Sequence, residues 1–393
     1  MDSARRWGGI VALAAGIFVL ITIEELPIGV LSVMAPDLGV SEGMAGLSVT
    51  VPGVLAGVVA VVTPVLVRGM DRRLVLVLAL AAVVVSSALS VVAPNFAVLL
   101  VARLFAGVSI GLYWAVMAIV ALGQAPKEHA ARALTVAFSG AGAALVLGVP
   151  VAAWIGAHVG WRAAFGIVGA LAAVVALLIL VLVRPVRSPV NVTPAMMLVA
   201  ARARGVRYAV ALTVLVVVAQ FITYSYVSPL LLERAEVPVT DVGMMLLAYG
   251  IAGLIGNFAI APLLRRSAAW GVLVVSVGVA MSLLAVHLLM DSPAAALAIM
   301  PMWGLFVGAI SVAIQAFVGA EAGDVLEEGT ALNSATFNVS IALGALVGGL
   351  IIDRAGQGAL ILTSTAMVTA GALVAANYLR TARRRGRRTA PAD

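Results

Sequence analysis

The sequence predicts an all-α polytopic membrane protein, with twelve transmembrane helices in two pseudo-symmetric six-helix bundles. Three observations lead there. Of the 393 residues, 63% are hydrophobic and 10% charged, against about 25% charged in a soluble domain, so much of the surface must meet lipid. The apolar residues gather into twelve runs, each close to the roughly 20 residues a bilayer core requires. The basic residues concentrate in alternate connections between those runs, as the positive-inside rule demands.

Taken in order, the runs of the first half cover 9–34, 44–67, 74–93, 96–122, 131–157 and 163–183. Those of the second half cover 208–232, 242–264, 270–290, 294–319, 329–352 and 358–379. Only Ala93-Pro94-Asn95 separates the third from the fourth. The first run outlasts a signal-peptide core of about 7–15 residues and lacks a small-residue cleavage site, so it is read as span 1. With both termini cytoplasmic, inside connections hold twenty of the 24 basic residues; outside ones hold Arg162, Arg234 and Arg354, and Arg103 lies within a span. The longest polar interruption gives an N-terminal bundle over 1–183, a cytoplasmic linker over 184–206, and a C-terminal bundle with a basic tail over 207–393. The halves also echo each other. Gly148 and Gly344 share one spacing with Gly160 and Gly356, and the basic pairs Arg72-Arg73 and Arg265-Arg266 follow spans 2 and 8. Parallel repeats of this kind place substrate near the midplane, between the halves.

Ionisable groups deep in a bilayer are costly, about 3 kcal/mol on insertion scales, and mark functional positions. Glu24 and Glu25 lie about 15 residues into span 1, roughly 22 Å at helical rise, and point about 100° apart. Arg103, in span 4, sits at a depth that matches Glu24. The pair is expected to form an ion pair, direct or water-bridged. It either ties spans 1 and 4 together or lets Glu24 take and release a proton as its surroundings open and close. Tyr113, Trp114, Gln220, Tyr224, Tyr226, Asn257, Trp303, Gln315 and Asn338 are candidates for a central pocket, because a buried amide or phenol needs partners that substrate or a neighbouring helix can supply. As a group they suggest a neutral, amphipathic ligand. Pro150 is expected to bend span 5.

Several functions are disfavoured. The chain has no cysteine and three histidines without metal-ligand spacing, so neither a metal nor another cofactor is expected. No nucleophile–base constellation is visible, which argues against an enzyme. The net charge of +7 serves topology and contact with anionic lipid rather than nucleic acid.

Thr22-Ile23-Glu24-Glu25-Leu26-Pro27-Ile28-Gly29-Val30-Leu31, continued by Asp37-Leu38-Gly39-Val40-Ser41, resembles the first-span signature of the major facilitator superfamily's twelve-span drug:proton antiporters. The bacterial sugar, nucleoside and chloramphenicol efflux group is the nearest in pattern. Arg103 through Gly107 to Gly111 is similar to the superfamily's span 4 motif, whose arginine is linked to proton coupling. Gly148-Val149-Pro150, the run Gly160 to Phe165, and Ala331 to Gly349 are similar to that group's spans 5, 6 and 11. Two departures stand out. Glu25 occupies a position usually apolar. In the gating loop after span 2, formed by Arg68, Asp71, Arg72 and Arg73, Arg68 stands where an aspartate is expected.

The resemblance implies proton-coupled efflux of a drug, sugar or nucleoside by a monomer in a bacterial inner membrane. Glu24 and Arg103 would couple protons, the gradient would supply the energy, and Glu25 would tune substrate choice. A proton-independent facilitator, an uptake symporter and a non-transporting sensor remain alternatives on the same fold.

Overall fold

The computed structural model describes residues 2–67, 69–186 and 199–388. Arg68, of the expected gating loop, and most of the expected linker lie outside the described residues. The described chain is helical almost throughout, and eleven of its helices are long and apolar enough to cross a membrane. The last of these, Glu328–Thr381, has 54 residues, far more than the roughly 20 that one crossing needs. It bends at Gly356, whose φ of 76° and ψ of −179° interrupt the helical ladder. Two spans therefore lie within it, and the expected twelve are present.

Helix ends follow local chemistry. Ser41, Asp71, Asn95, Ser267 and Ser292 each cap a helix with a side-chain oxygen that accepts a backbone N–H of the first turn, filling a donor that the helix leaves empty. Asn95 settles the short division between spans 3 and 4. Gly160, at φ 106°, opens span 6 in a conformation that side chains disfavour.

Where the sequence reads one uninterrupted run, four spans are broken. Span 5 passes from Ala130–Ala143 through a π turn at Ala144–Gly148 into Val149–His158. The π turn sits directly before Pro150, whose missing N–H spoils the regular ladder there. Span 7 ends its regular helix, Arg204–Tyr224, well before the expected boundary, and continues as Val227–Pro229 and a π turn at Leu230–Arg234. Span 8 divides at Ile260, just ahead of Pro262, and span 10 divides around Gly308.

The internal repeat extends to individual contacts. Ser32 of span 1 and Ser228 of span 7 lie 196 residues apart, and their hydroxyls meet at 2.7 Å. The same spacing relates Gly160 to Gly356, both at positive φ, and the capping residues Asp71 and Ser267. Trp161 Nε1 donates to Asp37 Oδ2 at 3.0 Å, and at the matching positions Gln357 Nε2 donates to Glu233 Oε2 at 2.7 Å. Gly148 admits Thr22 of span 1, while its counterpart Gly344 admits Val218, the counterpart of Thr22, in span 7. Among the candidate spans, 1 and 7 are the most buried.

Close contacts between the halves gather toward the end of the bundle away from the termini. There Asp353, in span 11, accepts from Ser41 Oγ at 2.7 Å and from the Gly43 N–H at 3.0 Å, at the start of span 2. A side chain at Gly43 would collide with the Gly349 carbonyl and with Asp353. Spans 5 and 8 meet through Gly243 against Pro150 and Trp154, and through Gly250 against Leu145.

Candidate functional site

Span 1 brings Glu24 and Glu25 into the interior, where they are 6% and 9% exposed. Among the described residues, Glu24 Oε1 and Glu25 Oε2 are buried with no hydrogen-bond partner. Arg103 is fully buried beside them, and its hydrogen bonds run to backbone carbonyls rather than directly to the Glu24 carboxylate. Its Nη1 donates to the Ile23 carbonyl at 2.8 Å, its Nη2 to the backbone carbonyl of Glu24 at 3.1 Å, and its Nε to the Ser48 carbonyl at 2.7 Å.

The prolines explain this arrangement. In a regular helix the N–H four residues ahead would bond each of these carbonyls. For Ile23 that residue is Pro27, and for Ser48 it is Pro52; neither has an N–H to give. Arg103 supplies donors to both orphaned acceptors, one in span 1 and one in span 2. Gly107 lets span 2 come close enough, since a Cβ there would lie 2.7 Å from the Pro52 carbonyl. With its guanidinium fixed on backbone oxygens, Arg103 leaves the Glu24 carboxylate free to respond to its surroundings.

The second half contributes an aromatic cluster. Tyr224 and Tyr249 stack with ring centroids 5.1 Å apart at 17°, and Trp303 meets both edge-on, at 6.0 and 5.5 Å. Gln220 locks the group: its Nε2 donates to the Tyr249 hydroxyl at 2.9 Å, and its Oε1 accepts from Trp303 Nε1 at 3.0 Å. All four are nearly or wholly buried. Glu25 of the first half acts electrostatically on Tyr224 and Tyr249 of the second.

Gln220, Tyr224 and Trp303 thus come together as a unit with Tyr249. The remaining candidates lie elsewhere. Tyr113 donates its hydroxyl to the Leu13 carbonyl at 2.9 Å, joining spans 4 and 1 inside the first half. Tyr226 donates likewise to the Ala345 carbonyl at 2.7 Å. Trp114 packs on Phe138 of span 5. Asn338 bonds back to Ser334 in its own helix, Gln315 is exposed, and Asn257 is half-buried in span 8. Tyr249 escaped the sequence reading. Its one visible signal is a phenol in a span whose only other polar side chain is that of Asn257.

A family model described as Major Facilitator Superfamily matches residues 13–326. The chain belongs to the Major Facilitator Superfamily. Its fold matches the superfamily-type transporters among solved structures. A crystal structure of the nucleoside transporter NupG superposes with a TM-score of 0.76 at 12% identity, over 93% of this chain and 99% of that one. A bacterial homologue of the human lysosomal transporter Spinster, in an inward-facing and unoccupied conformation, gives a TM-score of 0.70 at 17% identity, over 96% and 97%. A POT family transporter in complex with 5-aminolevulinic acid gives 0.74 at 10% identity, over 94% of each chain. At these identities the likeness is one of fold. A relative by sequence is a Pseudomonas aeruginosa protein named transcription regulatory protein OpdE, 30% identical over 379 residues, covering 95% of this chain and 94% of that protein.

In this superfamily member the loop after span 2 is anchored to its own half. Asp71 Oδ1 accepts from the N–H groups of Arg73 and Val186 at 3.0 and 3.1 Å, and the Arg72 N–H donates to the Val186 carbonyl at 2.9 Å. Arg73 reaches the Leu180 carbonyl at 3.2 Å and lies 3.4 Å from Asp71 Oδ2. The buried Arg72 side chain donates to the Val67 carbonyl. Together these bonds tie the loop to the end of span 6.

Proposed function

We propose that this transporter is a secondary active exporter, exchanging protons from outside for a small organic molecule from inside by alternating access. It would work as a monomer with both termini in the cytoplasm of a bacterial cell. The observation that carries the reading is the pair of buried, unpartnered carboxylate oxygens at Glu24 and Glu25, next to an arginine that gives one N–H from each of its three nitrogens to backbone carbonyls. A carboxylate holds its charge at far lower cost in water than in an apolar interior. A site that opens first to one side and then to the other therefore changes the cost of that charge in each half-cycle, and proton uptake and release can follow. In this reading the contacts at Ser32, Ser41 and Asp353 close the outward end, and the site awaits cargo from the cytoplasm.

The test is substrate-induced proton release from purified protein, screened over sugars, nucleosides and antibiotics at several pH values. Release that appears with one compound class and is lost at least tenfold in Glu24→Gln is the expected result. Transport that ignores an imposed pH gradient would overturn proton coupling and leave a facilitator. The name of the OpdE relative favours a second reading, a membrane protein that influences gene expression. Ligand binding with no vesicle transport under any gradient would move the assignment there.

A further inference from the structure

Three carboxylates gather where the two halves meet at the end away from the termini, and we propose that one of them, Glu42, is a proton switch for that closure. Acid outside holds the seam shut, and loss of the proton loosens it. Named contacts set the arrangement. Asp353, in span 11, accepts from Ser41 Oγ at 2.7 Å and from the Gly43 N–H at 3.0 Å, so Glu42 lies between the two residues that Asp353 grips. Glu42 and Glu233, from opposite halves, also line one cavity of about 260 Å³, together with Ser32, Val40 and Pro229. The internal repeat shows why Glu233 lacks a base. Its counterpart Asp37 accepts from Trp161 and pairs with Arg162. Gln357, the counterpart of Trp161, still donates to Glu233 at 2.7 Å, but Gly358 stands at the position of Arg162. The second half keeps the acid and has lost its cation.

The charged and titratable groups on the elements around Glu42 are Asp37 of span 1, Tyr226, Glu233 and Arg234 of span 7, Glu236 just beyond it, and Asp353 and Arg354 of span 11. Tyr226 gives its hydroxyl to the Ala345 carbonyl, and Arg234 donates to the carbonyls of Val286 and His287. Arg354 is exposed. Among the described residues, no base pairs with Glu42, Glu233 or Asp353. The closed seam therefore holds a half-buried Glu42 among like charges, and both conditions favour its neutral form. Separation of the halves relieves both. The helix N-terminus at Glu42 favours the charged form, but it is present whether the seam is open or closed. The closed seam thus binds this proton more tightly than the open one, so closure is strongest in acid and weakens as pH rises through the titration of Glu42. Asp353 is the latch, and Glu42 sets the repulsion that the latch must hold.

The distance between two spin labels reads the seam without requiring cargo or transport. Because the chain has no cysteine, labels can be placed through Val159→Cys and Leu289→Cys, exposed positions in the first and second halves. In the purified full-length protein, the population with separated labels should rise about fivefold from about pH 5 to about pH 9. Glu42→Gln should hold the closed distance across that range, and Glu233→Gln should reduce the opening at high pH. Glu24→Gln should leave the response in place. Distances that ignore pH in the parent protein, a full response in folded Glu42→Gln, or a response lost in Glu24→Gln but kept in Glu42→Gln would each overturn the proposal. If Glu42→Gln does not fold, Glu233→Gln decides, and an undiminished opening there overturns it. Proton release on cargo binding is a separate measurement, so antiport can fail with this switch standing, and the switch can fail with antiport standing.

Discussion

Glu24 in span 1 and Gln220 in span 7 occupy equivalent positions of the internal repeat, related by the same spacing as Ser32 and Ser228. Gln220 has both ends of its amide bonded, whereas Glu24 keeps a buried oxygen with none. The surroundings diverge in step. Tyr249 and Trp303 fill the second half where the first has Gly53 and Gly107, and those glycines instead let neighbouring helices approach. The first half has Pro27, Pro52 and Arg103; the second has Thr223, Ala248 and Ile299 at the matching positions. Two prolines and the arginine that serves them are thus absent together. One half holds a polar cluster with its amide bonded at both ends, and the other holds ionisable groups with buried oxygens left unpartnered. Under the proposed mechanism, the duplicated scaffold assigns recognition to one half and charge movement to the other.

The sharpest way to break this contrast is Arg103→Ala. Two proline-orphaned carbonyls and a third acceptor would lose their donors, at about 1–3 kcal/mol for each buried unsatisfied group. A large loss of thermal stability, or failure to accumulate folded protein, is the expected outcome. Adding Pro27→Ala restores an N–H for the Ile23 carbonyl and should recover about 1 kcal/mol. A double mutant no more stable than Arg103→Ala alone would refute the proline account.

Gln220→Glu sharpens the comparison from the other side. It removes the donor to Tyr249 and should cost about 1–3 kcal/mol in thermal unfolding. If rigidity is what the second half contributes, no additional proton should be released per cargo. A doubled proton count would show that position, rather than neighbourhood, decides which half moves charge.

The contact between halves provides a smaller pair of effects. Because the chain has no cysteine, a single one at Val40 reports opening of the end away from the termini. Asp353→Asn weakens charge-assisted bonds, worth about 1.5–3 kcal/mol, to Ser41 and Gly43, and should raise its labelling rate about tenfold. Ser32→Ala removes one neutral hydroxyl contact and should raise it about threefold, near 0.6 kcal/mol. Equal rates in both variants would remove Asp353 from the closure.

Most of the architecture was legible because each span must be long and apolar, and because basic loops mark alternate connections. Glu24, Glu25 and Arg103 announced themselves as charges in hydrocarbon. Their geometry did not. Depth alone placed Arg103 level with the Glu24 carboxylate, while the acceptors that win it are backbone carbonyls bared by prolines on two other helices. Tyr113 and Asn338 have the residue types of a binding site but spend their polar atoms on nearby carbonyls, a distinction that only packing makes. Tyr249 was missed because one phenol carries little signal until Gln220 and Trp303 are seen beside it. The breaks in spans 7 and 10 were hidden since hydropathy measures how apolar a segment is, and not whether its hydrogen bonds run continuously.

The meeting of Ser32 with Ser228 has an evolutionary consequence. Two copies of one position can touch each other only near the axis that exchanges the copies. The contact is therefore what a two-fold homodimer of six-helix subunits would have made before its halves were fused into one chain. Such a residue had to suit its own image, which favours a group able both to give and to accept a hydrogen bond, as a hydroxyl does. Positions away from the axis carried no such restraint after fusion, and there glutamate and glutamine, or glycine and tryptophan, were free to part.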